Sequence, residues 1–177
     1  MKRSKRTPQS ITILQPQEFK ALLINATLEV LPVIVLGGFC GLRSSEILSL
    51  DWSAIHFDRK MMAVEGGIKT FHRRVVPLPD AAAAWLMPIA KDSGRVVPYR
   101  SQTMFLFATK QVWKAAGVKW RTNNLRCSAG SYMFAMCGNA KQTATELGNS
   151  APIVEHLGQF VSREDAEKWF GIFPKTT

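Results

Sequence analysis

Residues 37–52 read GGFCGLRSSEILSLDW, and the reading of this stretch decides how the rest of the chain is understood. An apolar helix over Leu31–Phe39, with Pro32 in its first turn, is ended at Gly41. Ser44 or Ser45 opens the next, which carries Glu46, Ile47, Leu48 and Leu50 in its first turns. Arg43 falls between the two. A cation at a helix start meets the positive end of the peptide dipoles, so it needs an anion beside it. Taken alone, such an arginine is a surface charge or half of a local ion pair; a bound anion is the functional alternative.

Upstream, QPQEFKALLINATL (15–28) spaces Phe19, Leu22, Leu23 and Ala26 at helical intervals. Downstream of Trp52 the pattern shortens to AIHFD, KMMAVEG and HRRVVPLP, separated by Asp58-Arg59 and Gly66-Gly67, which predicts a small antiparallel sheet. Helices then return as DAAAAWLMPIA, TMFLFATKQVWKAAG, NNLRCSAGSYMFAMCG, AKQTATELG and SREDAEKWFGI, each bounded by Gly, Pro, Ser or Asp. The expected fold is mainly α with one three-stranded antiparallel sheet, an α+β domain over residues 11–177 preceded by a basic tail at 1–10. No repeat is present in the sequence.

Twenty-three Lys and Arg oppose 13 Asp and Glu in 177 residues, a formal charge of +10. Such a field favours a polyanion: nucleic acid first, an anionic membrane surface second. Cys40, Cys127 and Cys137 lack CxxC spacing, which fits reduced thiols in a cytoplasmic, nucleoid-associated protein and indicates no zinc site. The longest apolar run, LPVIVLGGFCGL, is too short and too broken by glycine to span a bilayer. Nothing in the chain has the form of a Gly-rich phosphate loop or a Ser/His/Asp set, so hydrolase chemistry has little support.

Two further cations stand where charge needs a reason: Lys69 in the loop GGIKTFHRR between two strands, and Arg126 early in a helix whose other face is apolar. Two guanidiniums grip a phosphate with fork geometry, and a lysine on a hairpin reaches into a groove as a mobile point charge. His72 and Arg73 sit beside Lys69 and are candidate DNA contacts; for His56 and His72 a solvated strand position is the plainer reading. The five tryptophans fall at helix and strand edges, where packing explains them better than base stacking.

GLRSSEILSLDW, IKTFHRRVVPL, NNLRCSAGSY and ELGNSAPIVEHL resemble, in order and spacing, the boxes of the catalytic domain of tyrosine recombinases, the phage-integrase family. The resemblance runs from about Ile11 to Phe173. It implies a fold of helices with a small inserted sheet, duplex DNA and other recombinase subunits as partners, and no metal or energy cofactor. It implies attack of a tyrosine on a phosphodiester, leaving a 3′-phosphotyrosyl link. By the same resemblance Arg43 and Arg126 hold the non-bridging oxygens, Lys69 protonates the leaving 5′-oxygen, and Glu46 supports the site from behind Arg43. The opening ten residues then correspond to a linker remnant; the helical core-binding domain that usually precedes this one in the family is lacking, so a fragment, a truncated pseudogene product or a catalytic-domain-only protein is expected.

Three positions depart from the family pattern. Asn123 stands where a histidine is usual three residues before the second arginine, and Asn149 where His or Trp is usual. Asparagine donates hydrogen bonds but does not shuttle protons at neutral pH. The position of the tyrosine falls on Leu157, which follows His156, or on Gly158; neither has a hydroxyl. Tyr99 and Tyr132 are the only tyrosines, one in a loop and one within a helix. The sequence therefore supports two readings: a domain for site-specific recombination and integration of mobile elements, or a non-catalytic DNA-binding relic or regulator on the same fold.

Overall fold

Helix α2 (Leu31–Phe39, LPVIVLGGF) has no polar side chain, so no face of it belongs in water. All nine of its residues are buried, and α1 (Pro16–Asn25), α3 (Ser44–Ser49), α4 (Asp80–Leu86) and α6 (Asn124–Cys137) pack around it. The computed structural model describes residues 13–65, 73–149 and 161–175. Among them the remaining helices are α5 (Gln102–Ala115), α7 (Ala140–Leu147) and α8 (Arg163–Phe170).

Strands β1 (Ile55–His56), β2 (Met61–Val64) and β3 (Arg74–Pro77) form an antiparallel sheet in the order β1-β2-β3. The register pairs Ile55 with Met62, Met62 with Val76, and Val64 with Arg74. Period-two alternation therefore puts Ile55, Met62, Val64 and Val76 on the buried face, and it carries Arg74 inward with them. The expected mainly helical fold with a three-stranded sheet is the one observed.

Caps open the helices where the sequence offers them. Ser101, Asn139 and Ser162 each accept a backbone N–H from the first turn of α5, α7 and α8. Helix α8 is fastened through Trp169, whose ring lies between Phe19 (centroids 4.0 Å apart) and Tyr132 (4.2 Å) and whose indole N–H donates to Gly38 O at 3.0 Å. Gly38 has to be glycine, because a Cβ there would lie 2.2 Å from the Phe19 ring. The tryptophans at 52, 113 and 169 are buried, as packing residues should be, and the three cysteines are free thiols. No helix among the described residues is long and apolar enough to cross a membrane.

Candidate functional site

The turn between α2 and α3 is the first fixed part of the site. Gly41 has φ +65°, and its carbonyl accepts a hydrogen bond from Arg126 Nη1. Arg43 follows in extended conformation as the N-cap residue of α3. Its backbone N–H donates to Glu46 Oε2 at 2.7 Å, one half of a capping box, and its Nη1 donates to Glu46 Oε1 at 3.0 Å. Glu46 thus supplies the negative charge that an arginine at a helix start requires.

Glu46 is nearly enclosed, its side chain 2% exposed, and one arginine does not exhaust it. Arg74 from β3 grips the same carboxylate through both terminal nitrogens, Nη1 to Oε1 at 2.6 Å and Nη2 to Oε2 at 3.0 Å. Burial pushes the carboxyl up, but the hydrogen bonds from Arg74 and from the Arg43 backbone, with the Arg74 charge, outweigh it and hold it below the ordinary range.

The C-terminal end of α7 completes the arrangement. Arg74 Nε donates to Glu146 O at 3.0 Å, Arg126 Nη2 to Leu147 O, and Arg43 Nη2 to Gly148 O at 2.8 Å. Three arginines from three separate elements thus take three successive carbonyls at the negative end of one helix. Asn149 follows directly. Its side-chain oxygen accepts from Arg43 at 3.2 Å and from Arg126 at 3.0 Å, and only the amide oxygen can accept two such donors. Burial, and after it the like charge of Arg43, pull the Arg126 guanidinium down to about 10, so it stays charged at neutral pH.

Of the residues singled out in the sequence, Arg43, Glu46, Arg126 and Asn149 meet in one hydrogen-bonded group. Asn123 lies at the start of α6 with φ +60°, exposed, on the wall of a hollow that Arg43 and Arg126 also line. Arg73 is exposed, one residue before the strand position that turns Arg74 inward. Lys69, His72 and the nucleophile position Leu157, with Gly158, lie outside the described residues. Sequence reasoning missed Arg74. The alternation of Arg74 and Val76 along β3 with Leu78 just after it, Val76 and Leu78 both being buried, was the available signal.

Both tyrosines are committed to packing. Tyr132 donates its hydroxyl to Leu14 O at 2.8 Å and stacks on Trp169. Tyr99 is buried and meets Phe105 edge-on at 6.1 Å. Burial pushes both phenols up, away from the phenolate. No group of three or more metal-ligating side chains occurs among the described residues.

The model of the Phage integrase family matches residues 33–149. No curated protein matches the chain significantly. Among solved structures the chain is similar to XerA recombinase (TM-score 0.73, 16% identity, covering 93% of this chain and 65% of that one). It is also similar to the integrase from mycobacterium phage Brujita (0.71, 17%, 99% and 63%). A third likeness is to a lambda integrase(75-356) dimer bound to a COC' core site (0.66, 17%, 91% and 64%). At these identities the likeness is one of fold, and the chain spans less than two thirds of the length of each of the three.

Proposed function

The chain belongs to the phage integrase family, and from that premise we propose that it is a duplex-DNA-binding domain of site-specific recombination. In this reading it holds a backbone phosphate between Arg43 and Arg126. The observation that carries the reading is their convergence on Asn149 Oδ1 from positions 83 residues apart in the chain, 3.2 and 3.0 Å away. Two guanidiniums beside one another repel unless an anion or its equivalent lies between them. The carbonyls at the end of α7 and the Glu46 carboxylate hold them in place from behind. Arg43, whose side chain is 42% exposed, keeps a face toward solvent. The N–H groups of the two guanidiniums that Asn149 and these carbonyls leave unused are thereby held in place in advance for a phosphate oxygen.

In the same reading Asn123 and Asn149 give hydrogen bonds where proton-shuttling groups are usual, Lys69 is the acid for the leaving oxygen, and Lys69, His72 and Arg73 meet the DNA backbone. Integration of a mobile element and assembly with further recombinase subunits belong to the same reading, and the family match supports them. A second reading, a regulator that binds DNA without cutting it, is favoured by the two packed tyrosines and by leucine at position 157. Both readings share the clamp. The measurement that tests it is duplex affinity against salt. The logarithm of the affinity should fall with the logarithm of salt by roughly 0.9 for each phosphate neutralised, and Arg43→Ala should lower that slope by about 1. A salt-insensitive interaction, or none, would remove the reading.

A further inference from the structure

Among the described residues every lysine and arginine is exposed except four, Arg43, Arg74, Arg121 and Arg126, which are half-buried. Three of these belong to the group around Glu46, Asn149 and the end of α7, where each makes several hydrogen bonds. The fourth differs. No hydrogen bond or ion pair reaches the Arg121 side chain from any described residue. The segment around it, Ser93 to Thr145, holds eight Lys and Arg and no Asp or Glu, so no carboxylate is at hand there either. Withdrawing a charge from water without an opposite charge is costly, and a guanidinium, with five donors and no acceptor, keeps its proton at neutral pH. Its position adds to the cost. Arg121 stands three residues before α6, its carbonyl takes the first amide of that helix at 3.3 Å, and the Asn123 side chain does not cap the N-terminus, so the cation lies by the positive end of the peptide dipoles. An anion answers both.

The neighbours limit which anion. Arg121 belongs to the lining of the hollow that Arg43 and Arg126 also line, together with Ser44, Gln102 and Thr122. It is not a third finger of the clamp: Asn149 Oδ1 accepts from Arg43 and Arg126 alone, and the like charges that act most on Arg126 are those of Arg43 and Arg74. Lys110 of α5 lies 5.8 Å over the ring of Trp120, the residue before Arg121, so the positive charge continues onto α5. We infer that Arg121 binds a second phosphate, the neighbour along the same strand of the one held by Arg43 and Arg126. It thereby sets the direction in which that strand leaves the clamp, past the start of α6 toward α5. Cations that share a hollow but no acceptor suit two anions on one molecule, and a nucleic-acid strand supplies phosphates in regular succession. This inference rests on the phosphate reading of the clamp.

The test uses the whole chain. Arg121→Gln removes the charge and keeps most of the stem, and Arg121→Lys returns the charge. Since no bond within the protein is lost, Arg121→Gln should leave the urea midpoint where it is. With duplex DNA it should lower the slope of log affinity against log salt by about 1, and Arg121→Lys should restore the slope. Thymidine 3′,5′-bisphosphate should bind the native chain about 10-fold tighter than thymidine 5′-monophosphate, a gain that one charge-assisted hydrogen bond supplies. Arg121→Gln should remove that gain and leave the monophosphate affinity unchanged, whereas Arg43→Ala should weaken both. A lowered urea midpoint in Arg121→Gln would show that the charge is paired within the chain. An unchanged salt slope in that variant, or a bisphosphate bound no tighter than the monophosphate, would show that no second phosphate is held there. Each of these results would overturn the inference and leave the clamp standing. Salt-insensitive duplex binding by the native chain, or none, would overturn the clamp and this site with it.

Discussion

Glu46 is the residue on which the site turns, because one carboxylate orders two arginines. Four donors reach it, two from Arg43 and two from Arg74, and the Arg74 side chain is itself only 13% exposed. Removing one partner of an enclosed pair strands the other charge, so Glu46→Ala should destabilise the domain by about 3–5 kcal/mol, read from the urea midpoint. The carboxyl titrates below its ordinary value of 4.5, and this sets a pH dependence. A carboxylate with a lowered native pKa contributes stability that is complete above the unfolded value and disappears as pH falls through the native one. Urea midpoints of the native protein should therefore drop on the acid side of about pH 5, and Glu46→Gln should flatten that limb. An acid limb that is unchanged in Glu46→Gln would mean that other carboxylates govern it.

At the scale of elements, the site is the place where a turn, a strand and two helix ends meet, and they were unequally legible in the sequence. The Gly41 turn was readable, because glycine is a local signal that acts through its own backbone, and α3 and α6 begin beside the serines and asparagines that marked them, although none of these side chains caps them. The grip on α7 was not. That Glu146, Leu147 and Gly148 would offer their carbonyls to Arg74, Arg126 and Arg43 depends on packing across distant segments, which no spacing reports. Arg74 was hidden for a simpler reason: in HRR two arginines stand side by side, and only the strand register decides which one turns inward. Its role predicts a local effect. Arg74→Ala should speed hydrogen exchange at the amides of Gly148 and Asn149, which close the last turn of α7 onto Thr145 and Ala144, before it changes exchange in α2. The Gly41 turn predicts a larger one. Alanine there takes a left-handed conformation costing of order 1–3 kcal/mol, and its Cβ would lie 2.3 Å from Leu147 Cδ2. Gly41→Ala should destabilise the domain by at least that amount, read from the urea midpoint, and weaken DNA binding along with it.

For the molecule as a whole, the question is whether a domain proposed to hold phosphate also cuts beside it. Packing answers for the two tyrosines: Trp169 lies between Phe19 and Tyr132, and that stack joins α8 to α1 and α6. Freeing the Tyr132 hydroxyl would break its bond to Leu14 O and open the core. Tyr99 is held against Phe105 in the same core. Losing a general acid or base slows a reaction by typically about 10²- to 10⁴-fold, so asparagine at 123 and 149 is compatible with residual chemistry. A missing nucleophile differs in kind, since no covalent intermediate forms without an attacking oxygen. On a nicked suicide duplex the native chain should therefore give no covalent protein–DNA adduct at salt concentrations where it binds. Leu157→Tyr puts a phenol at the position the resemblance proposes for the nucleophile, and it should restore a trace of adduct that disappears when Arg43 or Arg126 is also replaced by alanine. An adduct from the native chain, mapped by peptide analysis to Tyr99 or Tyr132, would show that the core opens to deliver one of them and would make this domain a cleaving enzyme.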